Sequence, residues 1–284
     1  MAARRAERRR GAGRNAGTDR AGAAAVTRRH VHFDCEGDTL VGTLDEAQNT
    51  SGLLIVSGGN EIRAGAFAGQ AELAQKTAAE GFPVFRFDRR GIGDSEGQSR
   101  DLRERAVDIS AAEKAFMREC PWIRSMVVYG NCDAASALML MRDRRHHVLV
   151  LANPWPYESD QAPEMPSPKA IRERYADRLS RPSGWRRLLR GDVDFGRLAK
   201  GLRSALGQDR KPRTFVSEMA ESLDECALPH VILLSGNDRT ATAFAEEWDD
   251  RPGTVKTCDG AGHSFAEPHA RAWLREQLLE MLRR

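Results

Sequence analysis

At 284 residues the chain is long enough to bury a full core, and 40% hydrophobic with 30% charged residues is a globular balance. The formal charge of +3 hides an asymmetry: the first thirty residues hold nine Arg against one Glu and one Asp, 9 − 2 = +7, so the rest carries 3 − 7 = −4. The folded part is thus mildly acidic, and no stretch approaches the roughly 18 apolar residues of a membrane span.

Residues 1–29, rich in Arg, Gly and Ala without apolar periodicity, cannot bury enough surface to order themselves. They read as a disordered basic extension with no nucleic-acid partner expected. The leader lacks the apolar core of a secretory signal. The five cysteines (35, 120, 132, 226 and 258) are odd in number and without CxxC spacing, which argues against a disulfide framework and against a metal site. A reducing cytoplasm is the expected compartment.

From residue 30 the elements follow in order. His30 to Phe33 and Thr39 to Leu44 read as strands joined by a turn at Glu36, Gly37 and Asp38. Leu53 to Val56 is apolar on both faces, the pattern of a buried central strand. Phe67 to Glu80 has helical spacing and stops at Gly81. Pro83 to Phe87 is the next strand, Leu102 to Cys120 a helix, Met126 to Tyr129 a strand and Ala134 to Met141 a helix. After the strand Val148 to Leu151, the block from Pro154 to about Cys226 breaks the rhythm with prolines, Trp155, Trp185 and dense arginine. Alternation resumes with a strand at Val231 to Leu234, a helix from Thr240 to Trp248, a strand at Thr254 to Thr257 and a final helix from Pro268. Strands alternating with helices predict a mostly parallel sheet covered on both faces, with a lid inserted at about 155–226 of a domain spanning 30–284.

Three segments carry chemistry. Cys132 follows a strand and opens a helix in the run GNCDAASAL, with Gly130 and Ala134 small where strand and helix must pass closely. Asp238 directly follows the apolar strand ending near Leu234, at the rim where open parallel sheets place their sites. His263 sits after a strand in a loop opened by Gly260, Ala261 and Gly262. Nucleophile, acid and histidine in that chain order match one triad topology and not the others. In this reading His263 takes the Cys132 proton, and Asp238 holds the imidazole tautomer and stabilises its cation. The oxyanion hole needs two backbone donors: Asp133, the residue after the nucleophile, and Asn60 or else Gly59 from the glycine-rich loop after Ser57.

The turn from Phe87 to Gly97, FDRRGIGDSEG, resembles the strand-four signature of esterase-like α/β hydrolases. There Asp88 and Arg90 are expected to tie the loop down, and Asp94 and Ser95 to cap the next turn. The loop SGGNEIR, the GNCDAASAL elbow and Ala152 to Trp155 are similar to the exosortase A system-associated hydrolase 1 group of exopolysaccharide-producing bacteria. The resemblance implies the α/β-hydrolase fold and an acyl or ester hydrolase without cofactor. Cysteine in place of the usual serine makes thioester or acyl-transfer chemistry at least as plausible as ester hydrolysis. The expected substrate is a small-molecule or carrier-bound acyl compound. Lid arginines (172, 174, 178, 181, 186, 187 and 190) are candidates to attract an anionic one, and Trp155 with Trp185 to line an acyl pocket. The alternative is a non-catalytic scaffold that keeps the fold; oligomeric state stays open.

Overall fold

The computed structural model describes residues 26–142, 147–158, 214–248 and 255–284. Residues 1–25 of the basic extension, the lid arginines and Trp185 lie outside them; Arg28 and Arg29, which the sequence reading gave to that extension, instead open a strand, held there by ion pairs to Asp45 and Glu46. Among the described residues eight strands form one sheet: β1 (Arg28–Cys35), β2 (Asp38–Asp45), β3 (Ser51–Val56), β4 (Val84–Phe87), β5 (Ser125–Asn131), β6 (His147–Ala152), β7 (His230–Ser235) and β8 (Val255–Cys258). They lie in the order β1-β2-β4-β3-β5-β6-β7-β8. The β1–β2 and β2–β4 pairs are antiparallel and all others parallel. This is the mostly parallel sheet that the alternation predicts, arranged as the α/β-hydrolase fold that the resemblance implies.

Side chains alternate across a strand, and β3 shows why its run is apolar throughout. Leu54 and Val56 enter one core cluster and Leu53 and Ile55 the other, all fully buried. Helices α2 (Ala106–Glu119), α3 (Asp133–Leu140), α4 (Phe215–Cys226) and α5 (Arg239–Glu247) supply the first face through Ile109, Phe116, Leu138, Val216 and Phe244. Helices α1 (Gly69–Ala79) and α6 (Pro268–Leu282) cover the second through Leu73, Ala74, Leu274 and Leu278.

Three differences from the sequence reading have physical causes. The helix expected from Phe67 begins at Gly69, because Phe67 and Ala68 take positive φ (52° and 56°) in a short 3-10 turn. The helix expected from Leu102 starts as a 3-10 turn over Leu102–Arg105 capped by Asp101. Helix α4, inside the block assigned to the lid, packs Val216, Met219 and Leu223 into the core behind a Thr214/Ser217 capping box. The strand-four turn is tied as expected at Asp88, which accepts from the Arg63 and Asp94 backbone N–H groups and from the Arg63 guanidinium. Arg90 bonds Asp108 and Glu36. Asp94 caps nothing in it; its carboxylate pairs with Arg63 at 2.8 Å.

Candidate active site

β5 ends one residue before Cys132, which takes φ 61°, ψ −131° as the N-cap of α3. A non-glycine residue at positive φ is strained, and the surroundings hold it there. The Cys132 N–H donates to the Ala152 carbonyl at 3.0 Å, and its own carbonyl accepts from Ala135, Ser136 and Trp155. Gly130 allows the sharp approach, since a Cβ there would lie 2.8 Å from Leu138 and 3.0 Å from the Ala134 backbone. The thiol is half-buried rather than sealed in the core, unlike Cys35, Cys120 and Cys258.

The three chemistry-bearing side chains, distant in sequence, meet at the carboxyl edge of the sheet. His263 Nδ1 donates to Asp238 Oδ2 at 2.8 Å, which leaves Nε2 for the Cys132 thiol, the ring's second hydrogen-bond partner. Asp238 also caps α5, accepting from the Thr240 and Ala241 N–H groups at 3.2 and 3.1 Å. Burial pushes the Asp238 carboxyl up, but the bond and charge of His263 and those two N–H groups outweigh it and hold it below its ordinary value. The Asp238 bond first, then the Cys132 bond, push His263 up from 6.5 to about 10 against its burial. The ring is therefore an imidazolium at neutral pH.

That shift has a sign. A folded-state value above the unfolded one adds stability below pH 6.5 that disappears as pH rises through about 10. Urea melts of the protein and of His263→Gln are expected to differ most at pH 6 and to converge towards pH 10. A gap that widens with pH contradicts this arrangement.

Two asparagines not singled out from the sequence hold the histidine loop. Asn153, fully buried at φ 42°, donates to the His263 carbonyl at 3.0 Å, to Ser235 Oγ at 3.0 Å and to Asn131 Oδ1 at 3.2 Å. It also accepts from the Ser235 N–H at 2.8 Å, while Asn131 reaches the same His263 carbonyl at 3.2 Å. Strands β5, β6 and β7 are thus stitched to the loop. An asparagine straight after an apolar strand, at Ala152-Asn153, was the one available signal.

The glycine-rich loop lies over the elbow. A Cβ on Gly58 would sit 2.3 Å from the Asn131 carbonyl, so only glycine fits. Gly59, at φ 52°, donates its N–H to Asp133 Oδ1 at 2.6 Å, and its carbonyl accepts from the buried Arg89 guanidinium. The other Asp133 oxygen accepts from the buried Arg105. Gly59 is accordingly corrected as an oxyanion donor, because its N–H is already engaged. Asn60 stays available. In a planar trans peptide the N–H points opposite the carbonyl, so Arg89, by holding the Gly59 carbonyl, turns the Asn60 N–H the other way. The Asp133 N–H begins α3, where helix N–H groups lack intrahelical partners.

Trp155 is half-buried, packs on the core and meets Tyr157 edge-on at 5.1 Å. Beside the site, between α1 and α6, lies a cavity of about 460 Å³. Among the described residues no group of His, Cys, Asp and Glu is arranged to hold a metal, and no helix is long and apolar enough to cross a membrane.

A family model described as the alpha/beta hydrolase family matches residues 53–277. No curated protein matches the sequence. Among solved structures, the alpha/beta hydrolase GrgF from Penicillium sp. sh18 is 20% identical, over 90% of this chain and 98% of its own, at a TM-score of 0.59. Est1E from Butyrivibrio proteoclasticus, solved with ferulic acid, is 14% identical over 89% of this chain and 100% of its own, at 0.57. An alpha-beta serine hydrolase homologue from Coxiella burnetii is 14% identical over 89% and 97%, at 0.56. At these identities the likeness is one of fold.

Proposed function

The chain belongs to the alpha/beta hydrolase family and is an α/β-fold hydrolase, and from that premise we propose that it acts on ester or thioester bonds through a covalent acyl–Cys132 intermediate. The observation that carries this reading is the continuous contact from Asp238 through His263 to a half-buried thiol on a strained elbow. The thiolate, formed when His263 takes the thiol proton, is the nucleophilic form. The thiolate attacks the acyl carbon, and the oxyanion is met by the N–H groups of Asp133 and Asn60. The protonated His263 then gives its proton to the leaving alkoxide or thiolate. Water or a small acceptor, deprotonated by the now neutral ring, releases the acyl group. The substrate is a small-molecule or carrier-bound acyl compound, and no cofactor enters these steps. The resemblance of the SGGNEIR loop and the GNCDAASAL elbow to the exosortase-associated group supports a place in bacterial exopolysaccharide and exosortase systems, in the cytoplasm.

Structural neighbours described as serine hydrolases raise a serine-type mechanism as a rival, but position 132 offers sulfur. Alkylation separates a tuned thiol from a bystander. At pH 7 iodoacetamide is expected to modify Cys132 at least about 10-fold faster than Cys35, Cys120 or Cys258, and His263→Gln to remove most of that advantage. Equal rates at all four, read by peptide mass, defeat the proposal in favour of a scaffold.

A further inference from the structure

The cavity between α1 and α6 is not used by the steps above. Its lining includes Asn131 and Ser264, the chain neighbours of Cys132 and His263. Leu73, Phe265 and Leu274 give it apolar walls. Two polar groups in its lining lack full partners. Glu61 forms no ion pair among the described residues; it accepts only from Gln70 Nε2, at 3.3 Å, and from the Ala66 backbone. Gln70 is itself fixed, because its carbonyl oxygen accepts from Ser57 Oγ at 2.8 Å. Tyr129, only 4% exposed, lines the same space, and its hydroxyl takes no hydrogen bond among the described residues. The cations on the rim have carboxylates of their own: Lys76 and Arg271 pair with Glu72, and Arg275 with Glu80. What remains is a carboxylate without a cation and a buried phenol in a cavity with apolar walls.

We infer that this cavity binds a primary amine, ammonium head on Glu61 and Tyr129 and alkyl stem against Leu73, Phe265 and Leu274, as the acceptor of the acyl group on Cys132. An alcohol or water has no need of an unpaired carboxylate; an ammonium ion does. Burial pushes the Glu61 carboxyl up, and the His263 charge offsets only part of that; Glu61 shares the cavity with Ser264, the residue after His263, so a nitrogen held there sits on the side of the cavity next to the histidine loop. The inference rests on the acyl–Cys132 reading. The ammonium passes one proton to Glu61, and its freed lone pair forms a C–N bond to the thioester carbon. The second proton goes to His263, whose ring has lost its Cys132 bond on acylation, and then to the sulfur as the C–S bond breaks. The products are an amide, the free Cys132 thiol and a protonated Glu61 that returns its proton to solvent.

Acyl-enzyme partitioning tests this with n-butylamine, n-butanol and water as competing acceptors of an ester-derived acyl group, the products read by mass spectrometry. Amide formation is expected to saturate with n-butylamine and not with n-butanol. Glu61→Gln and Tyr129→Phe are each expected to raise the half-saturating amine concentration about 10-fold. Strict proportionality to amine, indifferent to Glu61→Gln, overturns the inference. A second arm needs no acylation: n-butylammonium titrated into Cys132→Ala should give saturable NMR shifts around α1 and α6 that Glu61→Gln abolishes. No such binding also overturns it, and binding without saturable amide formation overturns the acceptor role. Failure of any ester to acylate Cys132 defeats the acyl–cysteine reading instead, and the titration still decides the cavity.

Discussion

Cys132→Ala is expected to lower ester and thioester turnover by roughly 10⁴-fold or more, the scale on which removing a triad nucleophile acts. The substitution leaves Asp238, His263 and the backbone donors in place, so fold and substrate binding should survive; an unchanged melting curve and retained binding are the controls. Cys132→Ser sharpens the point. A serine needs His263 as a neutral base, yet the Asp238 bond holds the ring protonated well above its ordinary value. The serine variant is therefore expected to gain activity as pH rises more steeply than the wild type, whose sulfur is the better intrinsic nucleophile. A serine variant as active as wild type at pH 7 counts against this account.

Asp133→Ala carries the second large effect. The side chain anchors Gly59 through one oxygen and meets Arg105 through the other, so it straps the glycine-rich loop to the elbow. Losing it removes the acceptor of the Gly59 N–H, at a cost of about 1 kcal/mol for that partly buried donor. The larger consequence is positional. With the loop free, the Asn60 N–H no longer holds its aim, and losing one oxyanion donor lowers kcat by roughly 10²- to 10³-fold. Asp133→Asn keeps an acceptor oxygen for Gly59 and should retain most of the activity. Steady-state kinetics of both variants, with KM near wild type, check the assignment; equal loss in Asn and Ala points to the charge rather than the strap.

Much of this site was legible because its parts obey local rules. Small residues flank Cys132 on a strand-to-helix turn, Asp238 follows an apolar strand directly, and His263 follows glycines. The missed parts are meetings between distant residues. Arg105 reaches Asp133 across 28 positions, and Asn153 reaches His263 across 110; no spacing encodes either. Glu61, in the loop after β3, and Tyr129, in β5, line one cavity from segments far apart in the chain. Helix α4 is a different case. Val216, Met219, Ala220 and Leu223 stand at helical spacing, but the proline- and arginine-rich stretch before them drew the whole block into the lid. Gly59 misled for a similar reason: its flexibility was visible, while the carboxylate waiting for its N–H came from another strand's end.

The asparagine stitching of β5, β6 and β7 fixes the histidine by its backbone, and Asp238 fixes it by its ring. In the proposed mechanism, such double anchoring pre-organises a proton relay to the sulfur rather than leaving it to substrate binding. Intact-mass analysis after incubation with a panel of acyl esters and thioesters tests it most directly. The account predicts a mass increment equal to the acyl group, mapped to the peptide carrying Cys132 and absent from Cys132→Ala. Turnover with no increment on that cysteine, or the same increment in the alanine variant, contradicts it.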